Sequence, residues 1–127
     1  MPRLDHINLS VPETVGDAPG TDAEAAWLAA LGYHRATPGP EASQLGTLNW
    51  FEAGDGTQVH LTVDPNHQPS AAAHTAIRLD DALDTTVTAL EASGHRCTTI
   101  AFDGDRHIFA TDPAGNLWEL IGPLAAS

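Results

Sequence analysis

Four side chains that could bind a divalent transition metal, His6, His60, His74 and Glu119, each sit in a short segment of alternating character. Imidazole with carboxylate is a donor set for such an ion. Strand side chains alternate sides, so residues two apart share a face. In Asp5-His6-Ile7-Asn8-Leu9-Ser10-Val11 one face carries Ile7, Leu9 and Val11, and the other carries His6, Asn8 and Ser10. Gln58-Val59-His60-Leu61-Thr62-Val63 sets His60 opposite Val59, Leu61 and Val63. His74-Thr75-Ala76-Ile77-Arg78-Leu79 sets His74 and Arg78 opposite Ile77 and Leu79. Leu117-Trp118-Glu119-Leu120-Ile121 is apolar on both sides except for Glu119, whose charge needs a partner if it is buried.

The elements that must position these residues repeat. After the first strand, a Pro/Gly-rich loop spans Pro12 to Gly20, and Thr21-Asp22-Ala23-Glu24 has the spacing of a capping box. A helix is expected over Ala25 to Leu31, stopped by Gly32. A short strand near Tyr33 to Ala36, a loop at 37–46, a strand at about Leu48 to Ala53, the turn Gly54-Asp55-Gly56 and the His60 strand complete a βαβββ order. From the His74 strand the pattern recurs. Asp80 is expected as an N-cap, and a helix over about Ala82 to Ser93, with Leu83, Val87 and Leu90 at helical spacing, ends at Gly94. Strands follow at about Arg96 to Phe102 and Arg106 to Thr111, joined by Asp103-Gly104. The Asp112-Pro113-Ala114-Gly115-Asn116 turn then leads into the Glu119 strand. The expected fold class is α+β, with modules at about 3–64 and 74–122 and a linker at about 65–73. In this repeat His6 corresponds to His74 and His60 to Glu119.

Composition bounds the function. The chain has 127 residues, 42% hydrophobic and 17% charged, enough for one globular domain with a core. Its apolar stretches are too short to cross a bilayer and its start has no signal-peptide pattern, so a cytoplasmic protein without a membrane partner is expected. A lone Cys97 excludes an internal disulfide and fits a buried strand residue. Seventeen acidic residues against five arginines and no lysine give a formal charge of −12. That field repels nucleic acid, serves solubility, and would attract a cationic ligand.

The motifs in order resemble the vicinal oxygen chelate superfamily, which includes glyoxalase I, extradiol dioxygenases, methylmalonyl-CoA epimerase, and fosfomycin and bleomycin resistance proteins. The resemblance spans about Leu4 to Ile121. It rests on Leu4-Asp5-His6-Ile7-Asn8-Leu9, on His74 ahead of Asp80-Asp81, and on Asp112-Pro113-Ala114-Gly115-Asn116-Leu117-Trp118-Glu119-Leu120. It implies a cup-shaped mixed sheet with helices on the outer face, and metal ligands on the first and last strand of each module. His6, His74 and Glu119 match ligand positions. His60 stands where glyoxalase-like members usually offer a carboxylate or amide, and an imidazole there still suits Ni, Co, Zn, Fe or Cu but disfavours Mg and Ca.

The implied chemistry is lyase or isomerase action on a small substrate with vicinal oxygens, through a metal-stabilised enediolate, with Glu119 as base and His60 as a second catalytic group. Asn8 and Arg78 share faces with His6 and His74 and are candidates to orient the substrate; His107 is a reserve acid/base or pocket residue. His34, His67 and His95 are expected at the surface or pocket wall, and Trp50, Phe51, Phe102, Phe109 and Trp118 in core or lining. Two alternatives stay open. If only His6, His74 and Glu119 bind, the triad suits Fe(II) and extradiol-type dioxygenase chemistry. A bleomycin-resistance-type protein would instead sequester a cationic drug without metal. Five arginines fit poorly with fosfomycin-type thiol transfer or coenzyme A substrates. A homodimer is implied by the resemblance alone.

Overall fold

A computed structural model describes residues 1–37, 39–40, 49–102 and 104–124. The chain divides into two compact units, Met1–His67 and Gln68–Ser127. In unit 1 the elements are β1 (His6–Val11), β2 (Thr14–Val15), β3 (Ala18–Pro19), α1 (Gly20–Ala30), β4 (His34–Arg35), β5 (Asn49–Glu52) and β6 (Gln58–Val63). Unit 2 contains β7 (His74–Arg78), a 3-10 turn (Asp80–Ala82), α2 (Leu83–Ala92), β8 (Thr98–Phe102), β9 (Asp105–Thr111) and β10 (Leu117–Pro123). The result is a mixed α+β chain.

Each unit holds a four-stranded sheet of the same design. The orders are β1-β6-β5-β4 and β7-β10-β9-β8. First and last strands pair in parallel, and all other pairs are antiparallel. A parallel pair needs a long crossover, which the intervening helix and strands supply. The apolar faces read from the sequence supply most of the buried residues, with two departures in β6: Val63 is exposed, and His60, on the polar face, is buried. In unit 1, Val11, Val59 and Leu61 pack with Phe51 and with Trp27 and Leu28 of α1; in unit 2, Trp118 and Leu120 pack with Ile108 and with Leu83 and Leu90 of α2.

Both helices stop in the same way. Gly32 and Gly94 adopt left-handed φ values of 97° and 92°. The amide of the next residue then reaches back into the helix, Tyr33 N to Leu28 O at 2.8 Å and His95 N to Leu90 O at 3.0 Å. This is the Schellman arrangement, which glycine enters without a Cβ clash.

The helix starts differ from expectation. α1 begins at Gly20 with Pro19 at its N-cap, so Thr21 is already helical and cannot be the capping residue, and Glu24 is fully buried; the expected capping box does not form. Asp80 is no N-cap either: it takes φ 50° and opens a 3-10 turn that leads into α2 without a side-chain cap. Within the Pro12 to Gly20 loop a two-stranded ribbon, β2 with β3, replaces irregular chain. Most of the expected 37–46 loop, and Asp103 of the β8–β9 turn, lie outside the described residues.

Candidate metal and substrate site

Strand register decides which side chains meet. In unit 1 His6 stands opposite Gln58 and Asn8 opposite His60; in unit 2 His74 stands opposite Leu117 and Ala76 opposite Glu119. The offset is the same in both sheets. His6 and His74 therefore occupy equivalent places, and so do His60 and Glu119. On the neighbouring antiparallel strands, Trp50 faces His60 as Phe109 faces Glu119.

The unit 1 donors form a stack of rings. The His6 and His60 centroids lie 4.0 Å apart at 15°, and Trp50 covers the other face of His60 at 4.3 Å and 7°. His6 Nδ1 donates to Asp5 Oδ2 at 2.8 Å, and His60 Nε2 donates to Gln58 Oε1 at 2.7 Å. Each imidazole thus has one nitrogen held by a protein acceptor, which sets its tautomer and leaves the other as a lone-pair donor. Burial, and secondarily the charge of His6, holds the His60 imidazole below the ordinary histidine range; the His6 hydrogen bond holds the Asp5 carboxyl below its own. Asn8 Oδ1 accepts from Thr62 Oγ1 at 2.9 Å. Asn8, Thr62, Trp50 and His60 line a hollow of about 330 Å³.

The unit 2 donors converge on one carboxylate. His74 Nε2 lies 3.1 Å from Glu119 Oε1, and His107 Nδ1 donates to Glu119 Oε2 at 2.6 Å. The side chains of Glu119 and His107 are 13% and 12% exposed, so the buried charge has the partners that its strand demanded. His74 Nδ1 donates to Ala72 O at 2.9 Å. With Nδ1–H committed to a backbone carbonyl, Nε2, beside the Glu119 carboxylate, is the nitrogen with which His74 would bind a metal. The buried Asp112 holds the preceding turn: its Oδ1 accepts from the amides of Ala114 and Asn116, and its Oδ2 from Trp118 Nε1 at 2.9 Å. That anchors β10 and with it Glu119.

The candidates thus fall into two pairs, each inside its own unit. His107, a reserve candidate on sequence grounds, is in direct contact with Glu119. Arg78 is engaged by Asp105 at 3.0 Å and Asp80 at 3.4 Å, links across 27 and two residues of chain that strand patterning does not reveal. Asp5 and Gln58, the partners of His6 and His60, had only proximity or a shared face to mark them. Among the described residues no group of three or more His, Cys, Asp or Glu forms a ready metal site. The donor chemistry of each pair, two imidazoles each with one nitrogen held by an acceptor in one and carboxylate with imidazole in the other, fits a divalent transition metal. Among the described residues no helix is long and apolar enough to cross a membrane.

Neither a protein-family model nor a curated protein sequence matches the chain. Solved structures do. A glyoxalase family protein from Bacillus anthracis superposes with a TM-score of 0.74 at 23% identity, covering 98% of this chain and 97% of its own. The fosfomycin resistance protein FosX from Listeria monocytogenes gives 0.72 at 18% identity, with 98% and 95% covered. A glyoxalase/dioxygenase from Nostoc punctiforme gives 0.70 at 20% identity, with 97% and 92% covered. FosX has been crystallised with Mn(II) and sulfate, and a single-substitution mutant of it with Mn(II) and a dihydroxypropylphosphonic acid. With two βαβββ units of one strand order, matched over nearly their full length by these structures, the chain has the fold of the vicinal oxygen chelate proteins.

Proposed function

We propose that the protein is a divalent-metal-dependent enzyme with glyoxalase-like lyase or isomerase chemistry, acting on a small substrate with vicinal oxygens. The observation that carries this reading is the shared register, which gives His6 and His74, and His60 and Glu119, equivalent places on the polar faces of two like sheets. His6, His60, His74 and Glu119 would be the ligands. When bound, the metal supplies Lewis acidity toward the two substrate oxygens. Glu119 is the base: its carboxylate removes a proton from the carbon beside those oxygens and holds it at a carboxylate oxygen. His107 Nδ1–H, on Oε2, keeps that carboxylate oriented. His60 is kept neutral by burial, and with Nε2 committed to Gln58 its Nδ1 is the nitrogen that binds or moves a proton. Asn8, beside His60 in the hollow, would orient substrate oxygens; Arg78 would do so only by leaving its two aspartates.

Metal content of the mildly purified protein and of two variants tests the assignment. Stoichiometric Ni, Co, Zn, Mn or Fe is expected, lost in His6→Ala. Equal loss in His60→Ala makes His60 a ligand; retained metal with lost turnover makes it catalytic. A metal-free protein that binds an organic cation tightly would overturn the enzyme reading in favour of drug sequestration, which the −12 charge supports.

A further inference from the structure

Cations are scarce in this chain, and most are engaged. Arg35 meets Asp22 at 3.3 Å, Arg78 meets Asp105 at 3.0 Å and Arg106 meets Asp84 at 2.6 Å. Arg96 meets no carboxylate among the described residues. It lines a hollow of about 210 Å³ in unit 2 with Thr98, Phe109, Ala110, Thr111 and Leu117. Thr98, Phe109, Thr111 and Leu117 share the face of the sheet that carries Glu119. Thr98 stands opposite Phe109, Phe109 opposite Glu119, Thr111 opposite Leu117, and Leu117 opposite His74. The His74 ring meets Phe109 edge-on at 5.4 Å. The hollow therefore adjoins the His74–Glu119 pair, with an aromatic wall between them.

We propose that this hollow is a carboxylate subsite, in which Arg96 holds the carboxylate of a small substrate whose apolar part lies on Phe109 and Leu117. A guanidinium fork matches a carboxylate with two parallel N–H donors, and the hydroxyls of Thr98 and Thr111 can add to them. One fork offsets one negative charge. A phosphate dianion would leave charge uncompensated in a chain of formal charge −12, so the monoanion is the matching class. The volume lies below the roughly 300–1,000 Å³ of pockets for drug-sized ligands, as suits a site for one end of a small molecule. The substrate role rests on the enzyme reading above, which the binding itself does not require.

The test is an amide chemical-shift titration of the EDTA-treated protein with benzoate, benzamide and phenylphosphonate. Benzoate is expected to saturate shifts at Arg96, Thr98 and Thr111, with benzamide about tenfold weaker, the loss of a charge-assisted pair at an open site. Arg96→Gln should weaken benzoate by a similar factor, and Arg96→Lys should fall between. Equal binding of benzoate and benzamide, unchanged binding in Arg96→Gln, or shifts centred elsewhere overturns the subsite. Tighter binding of phenylphosphonate than of benzoate overturns the choice of a monoanion. Metal is absent throughout, so these outcomes are independent of the metal content that tests the enzyme reading.

Discussion

The two donor pairs occupy the same register in the two sheets, yet their side chains solve opposite problems. In unit 1 the last-strand position is an imidazole, sandwiched between His6 and Trp50 and kept neutral by burial. In unit 2 the equivalent position is a carboxylate, which burial alone would penalise, and a nitrogen of His74 meets one of its two oxygens and a nitrogen of His107 the other. A repeated backbone thus repeats the location of a side chain but not its charge. The charge then selects its own surroundings: aromatic rings around the neutral group, hydrogen-bond donors around the ion.

The cores differ in a parallel way. Unit 2 places its large buried aromatic on the last strand, Trp118, where the equivalent residue of unit 1 is Val59; unit 1 carries its buried tryptophan, Trp27, on the helix. Trp118→Ala should therefore cost about 3–5 kcal/mol in urea unfolding, from lost burial, the cavity and the loss of the indole N–H from Asp112 Oδ2. Val59→Ala removes only two methyl groups and should cost less. Equal costs would break the comparison.

The next effect concerns the carboxylate. His107→Gln removes the imidazole that orients Glu119, and metal affinity should fall about 10–100-fold, read by competition with a chelating dye. Among its described residues, β5 carries no histidine, so unit 1 offers no matching substitution there. Unchanged affinity would reduce the His107 contact to packing.

The smallest effect is that of His60. Its folded pKa lies below the ordinary value of 6.5, so the unfolded chain binds the proton more readily. This contribution to stability is complete above that value and declines as pH falls through the depressed folded pKa. In metal-free protein, urea midpoints measured below pH 6.5 should therefore fall with pH, and His60→Gln should flatten part of the fall. A variant with the same slope as the parent would show that other groups carry it.

Much of this was legible in the chain. Period-two alternation is local, so the faces of β1, β6, β7 and β10, and with them the polar placement of His6, His60 and His74, follow from sequence alone. Gly32 and Gly94 end both helices as their residue type demands. Helix starts were less legible: Thr21 and Glu24 have capping spacing, but burial of Glu24 puts the pair inside α1. The β2–β3 ribbon lacked any run long enough to be read as strand.

By itself, then, the sequence determined two like modules, their apolar faces and the residue types available as donors, because strand period and turn chemistry are set by neighbours in the chain. Partners were decided only in three dimensions. Pairing β7 with β10 and β10 with β9 brings His74 and His107 to Glu119 from 45 and 12 residues away, and β9 with β8 brings Thr98 beside Phe109. Register is a property of two strands together, and no single segment contains it.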